Sequence, residues 1–271
     1  MKIRDIFTPG RFPTWTYVDD HLKEKEQQLH DALDDGSMLV SISGPSKSGK
    51  TVFVEHILGK DSLIQVTGAG VHSPSDLWVR VFDLIGTPIT TSSSSSSLTS
   101  SSIGAKGAIE GNALVVKGRA EVNVDRGTAI QEIQSSTDAI DYLQLLIKEL
   151  ASSDLVVFID DFHYISREIQ SQLAQQIKEA IRHGVKFICA SVPYHSDDVI
   201  RSNPDLRGRI FSIDFDYWGG EVLKKIAFKG FQKSNITYRL DMVDRLVAEA
   251  AGSPQLMQYL CLNSCYELNV R

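Results

Sequence analysis

The sequence has few cysteines, no long apolar run and no large excess of charge of either sign. Three cysteines among 271 residues are too few, and odd in number, for the disulfide framework that staples small secreted domains. No apolar run reaches the roughly 18 residues that a membrane-spanning helix needs, and the first ten residues lack the apolar centre of a signal peptide. We therefore expect a cytoplasmic protein that makes no contact with a membrane.

The charge balance and the cysteine positions exclude two further classes of site. A net charge of −6 gives no broad basic surface, so nucleic acid is not favoured as the main partner. Cys261 and Cys265 lie four residues apart on a predicted helix, without the further ligands that a four-coordinate zinc site requires. Cys189 falls in an apolar run. We expect three buried, reduced thiols in a chain whose 42% apolar content suits a packed core.

Residues 38–51, MLVSISGPSKSGKT, predict a strand that runs into a phosphate-binding loop. Gly44, Gly49, Lys50 and Thr51 match G-x-x-x-x-G-K-[ST], in which glycines let consecutive backbone N–H groups point at phosphate oxygens. Lys50 is expected to reach the β- and γ-phosphates, and the Thr51 hydroxyl to bind Mg²⁺. The N-terminus of the following helix favours the same anion. The nucleotide-binding residues predicted here are Gly44, Pro45, Ser46, Lys47, Ser48, Gly49, Lys50 and Thr51.

A second motif ends the apolar run LVVFIDD with two adjacent carboxylates, Asp160 and Asp161. The continuous apolar run predicts a strand buried on both faces, and ligands of such sheets bind beyond the carboxyl ends of the strands. We predict that Asp160 joins Thr51 in holding Mg²⁺, and that Asp161 polarises an attacking water as general base. The ordinary alternative is an aspartate-rich turn.

Three further residues are candidates for the same chemistry. Ser191, at the end of the next predicted strand, is placed to sense the γ-phosphate or to orient the water. Arg207 and Arg209 precede the fifth strand, and a guanidinium from the same subunit or the next one can stabilise transition-state charge. Turn chemistry for Ser191 and solvated arginines are the alternatives.

Alternation of strands and helices predicts an α/β fold, with a central parallel sheet of about five strands flanked by helices. We place the core at 21–216 and a lid of three helices at 217–271. Residues 87–133 interrupt the core with a serine-rich, low-complexity stretch, which predicts a flexible tether. A period-two pattern follows and predicts an inserted β-hairpin. This insertion is either a surface excursion or a contact for another subunit, a target protein or nucleic acid.

Together these motifs resemble the AAA+ and STAND branch of P-loop NTPases, which includes NB-ARC-type switches and origin-recognition-type ATPases. GPSKSGKT resembles the Walker A motif of the family, and VVFIDD resembles its Walker B motif. ICAS is similar to its sensor 1 strand, and DLRGRI is similar to the segment where the family often places an arginine. The resemblance covers nearly the whole chain apart from 87–133 and implies an ATP-binding module.

Two flanking segments extend the resemblance. Gly252, Ser253 and Pro254 in AGSPQLMQYLC are similar to the G-x-P motif in the lid of STAND proteins, which implies that Pro254 packs near the adenine. FPTWTYVDDHLKEKEQQL resembles the N-terminal linker that grips the base in these proteins. On this resemblance residues 1–20 form a nucleotide-gripping linker, with Tyr17 and Val18 as contacts.

The function implied by the resemblance is an ATP- and Mg²⁺-dependent switch with slow, regulated hydrolysis. Such a module controls self-association or an effector protein, in signalling or defence, and we expect a homo-oligomer or an effector complex. One alternative is a DNA-handling AAA+ ATPase, a loader or transposition-type regulator, that uses the predicted hairpin at 108–124. Another is a scaffold that binds nucleotide without hydrolysing it. A small-molecule kinase fits the helical lid least.

Overall fold

A computed structural model describes residues 1–89, 141–151, 153–192 and 208–270. Within these ranges the chain forms five β-strands and eight α-helices. In chain order they are α1 (Lys23–Asp35), β1 (Leu39–Ser43), α2 (Lys50–Leu58), β2 (Leu63–Thr67), α3 (Pro74–Ile85), α4 (Tyr142–Leu150), β3 (Val156–Asp160), α5 (Arg167–Arg182), β4 (Lys186–Ser191), β5 (Ile210–Asp214), α6 (Gly220–Lys233), α7 (Leu240–Ala250) and α8 (Pro254–Glu267). Short 3-10 turns occur at Ile3–Asp5 and Phe162–Tyr164.

The strands form one parallel sheet in the order β2-β3-β4-β1-β5. The register pairs Ser43 of β1 with Ser191 of β4 and with Asp214 of β5, and pairs Thr67 of β2 with Asp160 of β3. The carboxyl ends of all five strands therefore meet at one edge. The predicted α/β fold with a five-stranded parallel sheet is confirmed.

Alternating side chains of the central strands pack in two separate hydrophobic clusters, one on each face of the sheet. Val157 and Ile159 of β3 pack with α3, α4 and α5 on one face, whereas Val156 and Phe158 pack with α1 and α2 on the other. Because both faces are covered, β1 is buried along its whole length, as the continuous apolar run of a parallel strand predicts. The two helical layers fix the loops at the edge of the sheet.

A third hydrophobic cluster joins the two ends of the chain. Ile3, Ile6, Phe7 and Val18 of the N-terminal segment pack with apolar residues of the lid helices α6, α7 and α8. The Phe7 ring, which is fully buried, lies directly over Gly230 of α6, where an added Cβ would be 2.2 Å from the ring. The segment predicted as a separate linker thus shares a core with the lid.

Two predictions lie outside the described residues. They are the role of Arg207 and the inserted hairpin, because only residues 87–89 of the predicted insertion are described. Cys189, Cys261 and Cys265 are buried free thiols, as predicted, and burial raises the pKa of Cys189 to about 12. Within the described ranges, no helix combines the length and apolarity needed to cross a membrane.

We predict that Gly230→Ala destabilises the protein, although alanine normally favours a helix interior by about 1 kcal/mol over glycine. The new Cβ would overlap the Phe7 ring, and overpacking of a filled core costs about 1–3 kcal/mol. Thermal and urea unfolding would measure the loss.

Gly219→Ala is the matched control, because no atom lies within 4 Å of the Cβ it would add. The double variant Phe7→Leu/Gly230→Ala should recover part of the loss, since the smaller side chain leaves space for the methyl group. A Gly230→Ala protein as stable as the wild type would show that the N-terminal segment does not pack on α6 as described.

Candidate nucleotide-binding site

The loop between β1 and α2 has the backbone of a phosphate cradle. Gly44 approaches Phe215 so closely that a Cβ at position 44 would lie 2.5 Å from the Phe215 Cβ. Gly49 has φ +96° and caps α2, a left-handed conformation that glycine adopts without cost, and Lys47 also has a positive φ of +66°. The loop therefore curls tightly in front of the α2 N-terminus, where backbone N–H groups are free to bind an anion.

Lys50 and Thr51 connect this loop to the carboxylates of β3. The Lys50 Nζ donates hydrogen bonds to the carbonyl oxygens of Gly44 (2.7 Å) and Pro45 (2.9 Å). The Thr51 hydroxyl donates to the Asp160 Oδ2 at 2.6 Å, although β4 separates β1 from β3 in the sheet. The structure thus brings together the residues predicted to bind phosphate and Mg²⁺.

Burial shifts the pKa values of both charged groups at this point. It raises the pKa of Asp160, assisted by the negative charge of Asp161, while hydrogen bonds from Thr51 and the Asp161 N–H oppose the rise. It lowers the pKa of Lys50, against the attraction of Asp160 and Asp161. Both shifts disfavour the charged forms, so the ion pairing inside this site does not repay the cost of burial. Such a pattern is typical of a site that serves a ligand.

Asp161 has a backbone conformation that is uncommon for an aspartate. Its φ of +55° and ψ of +38° are left-handed, and non-glycine residues in this region cluster at functional sites. Gly68, directly after β2, supports this turn: its N–H donates to the Asp160 carbonyl at 2.8 Å. A Cβ at position 68 would lie 2.6 Å from the Asp161 carbonyl oxygen. Gly68 was not among the predicted site residues, because a single glycine after a strand carries no distinctive signal.

A cavity of about 400 Å³ lies beside the loop, within the range typical of small-molecule sites. Its walls come from the N-terminal segment, the phosphate loop, the end of β3 and the lid. Tyr17, Val18 and Pro254, which the family resemblance implied as nucleotide contacts, all line it, as do Ser46, Lys47, Ser48, Gly49, Lys50, Thr51, Asp160 and Asp161. Arg11, Phe12 and Thr16 of the predicted gripping segment also line it, as do Trp218, Gln255 and Gln258, although none of these six was predicted individually.

Four of the predicted residues that the structure describes do not line the cavity: Gly44, Pro45, Ser191 and Arg209. Ser191 is buried at the carboxyl end of β4, and its neighbour Val192 lines the cavity in its place. Arg209 precedes β5 at the amino edge of the sheet, where its carbonyl accepts a hydrogen bond from the Leu39 N–H. The five-residue strand puts Arg209 roughly 16 Å from the cradle along the sheet. The structure does not bring Arg209 to the cradle of its own chain, and a contribution to a neighbouring copy stays a prediction.

The lid contacts the back of the phosphate loop. The Trp218 Nε1 donates to the carbonyl oxygen of Ser48 at 3.0 Å, and the Ser253 hydroxyl donates to the carbonyl oxygen of Lys47 at 3.3 Å. Pro254 lies next to Gly49. Two consecutive carbonyls of the loop therefore have partners from the lid, while the family resemblance had implied only Pro254 here.

A buried amide holds the N-terminal wall of the cavity. The Gln258 side chain, on α8, donates to the Thr16 hydroxyl at 2.5 Å and accepts from the Thr8 N–H at 3.3 Å. The Lys229 Nζ donates to the Tyr17 carbonyl at 2.6 Å. Next to these contacts, burial raises the pKa of the Tyr17 phenol, together with the charges of Asp19 and Glu26. Lid side chains thus fix the position of the segment predicted to grip a base.

Comparison with solved structures identifies the fold. The chain is similar to Cdc6p from Pyrobaculum aerophilum, with a TM-score of 0.63 and 15% identity over 98% of this chain and 66% of that one. It is similar to the Aeropyrum pernix ORC2 protein in ADPNP-ADP complexes (0.61; 13%; 98% and 67%). It is also similar to the Thermotoga maritima RuvB Holliday junction branch migration motor (0.53; 14%; 93% and 64%).

These identities are low, and the chain spans only about two thirds of the length of each of these structures. No protein-family model matches the sequence, and no curated protein matches it. The likeness to solved structures nevertheless extends over almost all of this chain. The chain therefore has the α/β fold of these solved structures.

We predict that the stability cost of Asp160 depends on pH. A carboxyl whose folded-state pKa is raised stabilises the fold fully only below its unfolded pKa of 3.8, and this contribution is lost as pH rises through the folded pKa. Relative to wild type, Asp160→Asn should therefore gain free energy of unfolding as pH rises above about 4.

Chemical denaturation at several pH values, without nucleotide or divalent cation, measures this difference. Asp154→Asn is the control, because Asp154 is exposed just before β3 and its removal changes the net charge equally. A difference between wild type and Asp160→Asn that stays flat with pH, or falls as pH rises, would contradict the raised pKa.

Proposed function

We propose that this chain is an ATP-binding and ATP-hydrolysing switch module of the AAA+/STAND type. The observation that carries the proposal is that loop residues 46–51 line one cavity together with Asp160 and Asp161. That cavity also has walls from the N-terminal segment and the lid.

The residues present fit a nucleotide with its magnesium ion. Mg²⁺ is commonly bound by one or two protein oxygens together with phosphate oxygens and water, and it neutralises charge on the phosphates during transfer. Thr51 and Asp160, whose oxygens are 2.6 Å apart, would hold it. The Ser48 hydroxyl is buried and has no hydrogen-bond partner among the described residues. An unsatisfied buried hydroxyl costs stability, which supports a ligand-binding role for this loop.

Hydrolysis requires a water that attacks the γ-phosphorus while the bond to the ADP oxygen breaks. Asp161 lines the cavity directly after Asp160, and as general base it would accept a proton from that water. Lys50 would stabilise charge on the β- and γ-phosphates. Arg209 is proposed to act on the site of a neighbouring copy in a homo-oligomer.

The proposed switch is based on which parts of the chain line the cavity. The lid and the N-terminal segment share one hydrophobic cluster, whereas the phosphate loop belongs to the sheet. A nucleotide that contacts both would stabilise the arrangement in which they meet, because a ligand favours the state it binds best. We propose that this closed arrangement controls self-association or an effector protein, in signalling or defence.

DNA handling is a second candidate, favoured by the comparisons. RuvB is named as a Holliday junction branch migration motor, and the other two similar proteins are named Cdc6p and ORC2. The net charge of −6 weighs against a broad DNA-binding surface. DNA binding that weakens steeply with added salt and requires Lys106, Lys117, Arg119 and Arg126 would favour this candidate over the signalling switch.

We predict that wild type hydrolyses ATP slowly, and that Asp161→Asn binds ATP but turns it over about 100-fold or more slowly, the usual loss on removing a general base. Lys50→Ala should lose most ATP binding. Phosphate release, calorimetric ATP binding and mass in solution would be measured together, with Asp154→Asn as the control for a lost surface carboxylate.

The proposed switch also predicts a lasting change in Asp161→Asn when ATP and Mg²⁺ are added. Either its mass in solution changes because copies associate, or the amide hydrogens of its lid become more protected from exchange, and the change persists. Equal background turnover in all variants, with ATP bound by wild type and no change in mass, would support the non-hydrolysing scaffold and contradict hydrolysis. Failure of wild type to bind any nucleotide would overturn the function itself.

We also predict that Gly68→Ala slows turnover with little loss of ATP affinity. The added Cβ would collide with the carbonyl oxygen of Asp161, so the left-handed turn that positions Asp161 must move, while the phosphate loop is untouched. Steady-state kinetics would show a lower kcat at a similar KM. Ala69→Ser, an exposed change at the next residue, is the control, and normal kcat in Gly68→Ala would rule out this positioning role.

A further inference from the structure

Trp218 connects the hydrophobic cores of the sheet and the lid. It follows β5 and precedes α6, and its ring packs against both the cluster that includes Phe53 and Phe215 and the cluster that includes Phe7 and Met257. His21 lies edge-on to the ring, with centroids 4.3 Å apart. The backbone N–H of Trp218 donates to the Gly252 carbonyl at 2.9 Å, which fixes this residue to the turn before α8. The indole therefore has a fixed position relative to the lid.

The polar end of this indole binds the phosphate loop. Its Nε1–H donates to the carbonyl oxygen of Ser48 at 3.0 Å, and the ring lies 3.8 Å from where a Gly49 Cβ would be. In a trans peptide the carbonyl and the N–H point in opposite directions. A bond to the Ser48 carbonyl on the lid side therefore directs the Gly49 N–H away from the lid side of that peptide.

This orientation matters because a peptide next to a glycine can rotate more easily than one between two residues with side chains. Gly49 has no Cβ and adopts φ +96°, so flanking dihedrals can change at low cost. The helix-capping position at Gly49 is where N–H groups bind an anion. A donor that holds the carbonyl also polarises the peptide and strengthens the bond made by its N–H.

From these observations we infer that Trp218 is a positioning residue that couples phosphate binding at the Gly49 peptide to docking of the lid. The inference rests on the proposed function and deepens it, because it names the contact through which a bound phosphate acts on the lid. By thermodynamic reciprocity, a phosphate that strengthens the indole bond stabilises the docked lid, and the docked lid raises phosphate affinity equally. Trp218 itself does not touch the reacting atoms.

The test uses Trp218→Phe, which keeps an aromatic ring and removes only the indole N–H. Loss of one neutral hydrogen bond predicts ADP and ATP affinities weaker by about fivefold to tenfold, measured by calorimetry. Trp78→Phe is the matched control, because it likewise removes an indole N–H that donates to another residue, Gln176, and Trp78 does not line the cavity. Its affinities should equal those of wild type.

A second readout separates positioning from packing. The described ranges hold all three tryptophans of the chain, at 15, 78 and 218, so a ¹⁵N–¹H spectrum of wild type should contain three indole signals. ADP should move the Trp218 signal downfield and leave that of Trp78, which is bonded to Gln176, unchanged. If Trp218→Phe folds poorly, the Trp218 signal can still be assigned by elimination. Trp15→Phe removes the Trp15 signal, Gln176→Ala shifts the Trp78 signal, and the response of the remaining signal to ADP in wild type then decides.

The outcomes are distinct. Weaker ADP binding by Trp218→Phe, with a shifted Trp218 signal in wild type, supports the coupling. Wild type that binds ADP while its Trp218 signal stays in place, together with normal binding by the variant, overturns the coupling and leaves the proposed function intact. Wild type that binds no nucleotide overturns the proposed function, and the coupling with it.

Discussion

The hydrogen bond between Thr51 and Asp160 is the contact on which the candidate site depends. These residues follow or end strands that are not neighbours, since β4 lies between β1 and β3. Their oxygens meet only because all strands are parallel and in register at their carboxyl edge. The contact has an unfavourable side, because burial raises the pKa of Asp160 and lowers that of Lys50. The flanking helices must therefore stabilise the sheet enough to hold charges that a folded protein would otherwise exclude.

A second constraint is the close approach of backbones around this site. Gly44 lies against Phe215, and Gly68 lies against the Asp161 carbonyl. Neither position 44 nor position 68 therefore has room for a side chain. The first contact fixes the phosphate loop to the end of β5, and the second fixes the Asp161 turn to the end of β2. The groups proposed to bind phosphate and to activate water are thus positioned from opposite sides of the sheet's carboxyl edge, by the edge strands β5 and β2.

Local patterns in the sequence predicted most of the fold and several residues that the structure brings together in the candidate site. The β-branched runs predicted β1 and β3, because a strand buried on both faces is apolar throughout, and the loop spacing predicted Lys50 and Thr51 as neighbours of a strand end. Gly68, Trp218 and Gln258 could not be predicted. Each acts through one contact with a residue far along the chain, and no local period or spacing records such a contact. The sequence left open whether Arg209 would serve its own copy or a neighbouring one. Because Arg209 precedes a parallel strand, it lies at the opposite edge of the sheet from the cradle of its own chain.

The burial of Ile3, Ile6, Phe7 and Val18 among the lid helices changes what counts as the smallest unit of this protein. Full burial of one such side chain is worth about 1.5–3 kcal/mol, so the four together contribute an amount comparable to the whole net stability of a typical domain. A shortened chain beginning at residue 21 would retain every Walker-type residue yet expose the apolar underside of its lid. Such a fragment would tend to aggregate, and its loss of activity would be mistaken for a catalytic defect.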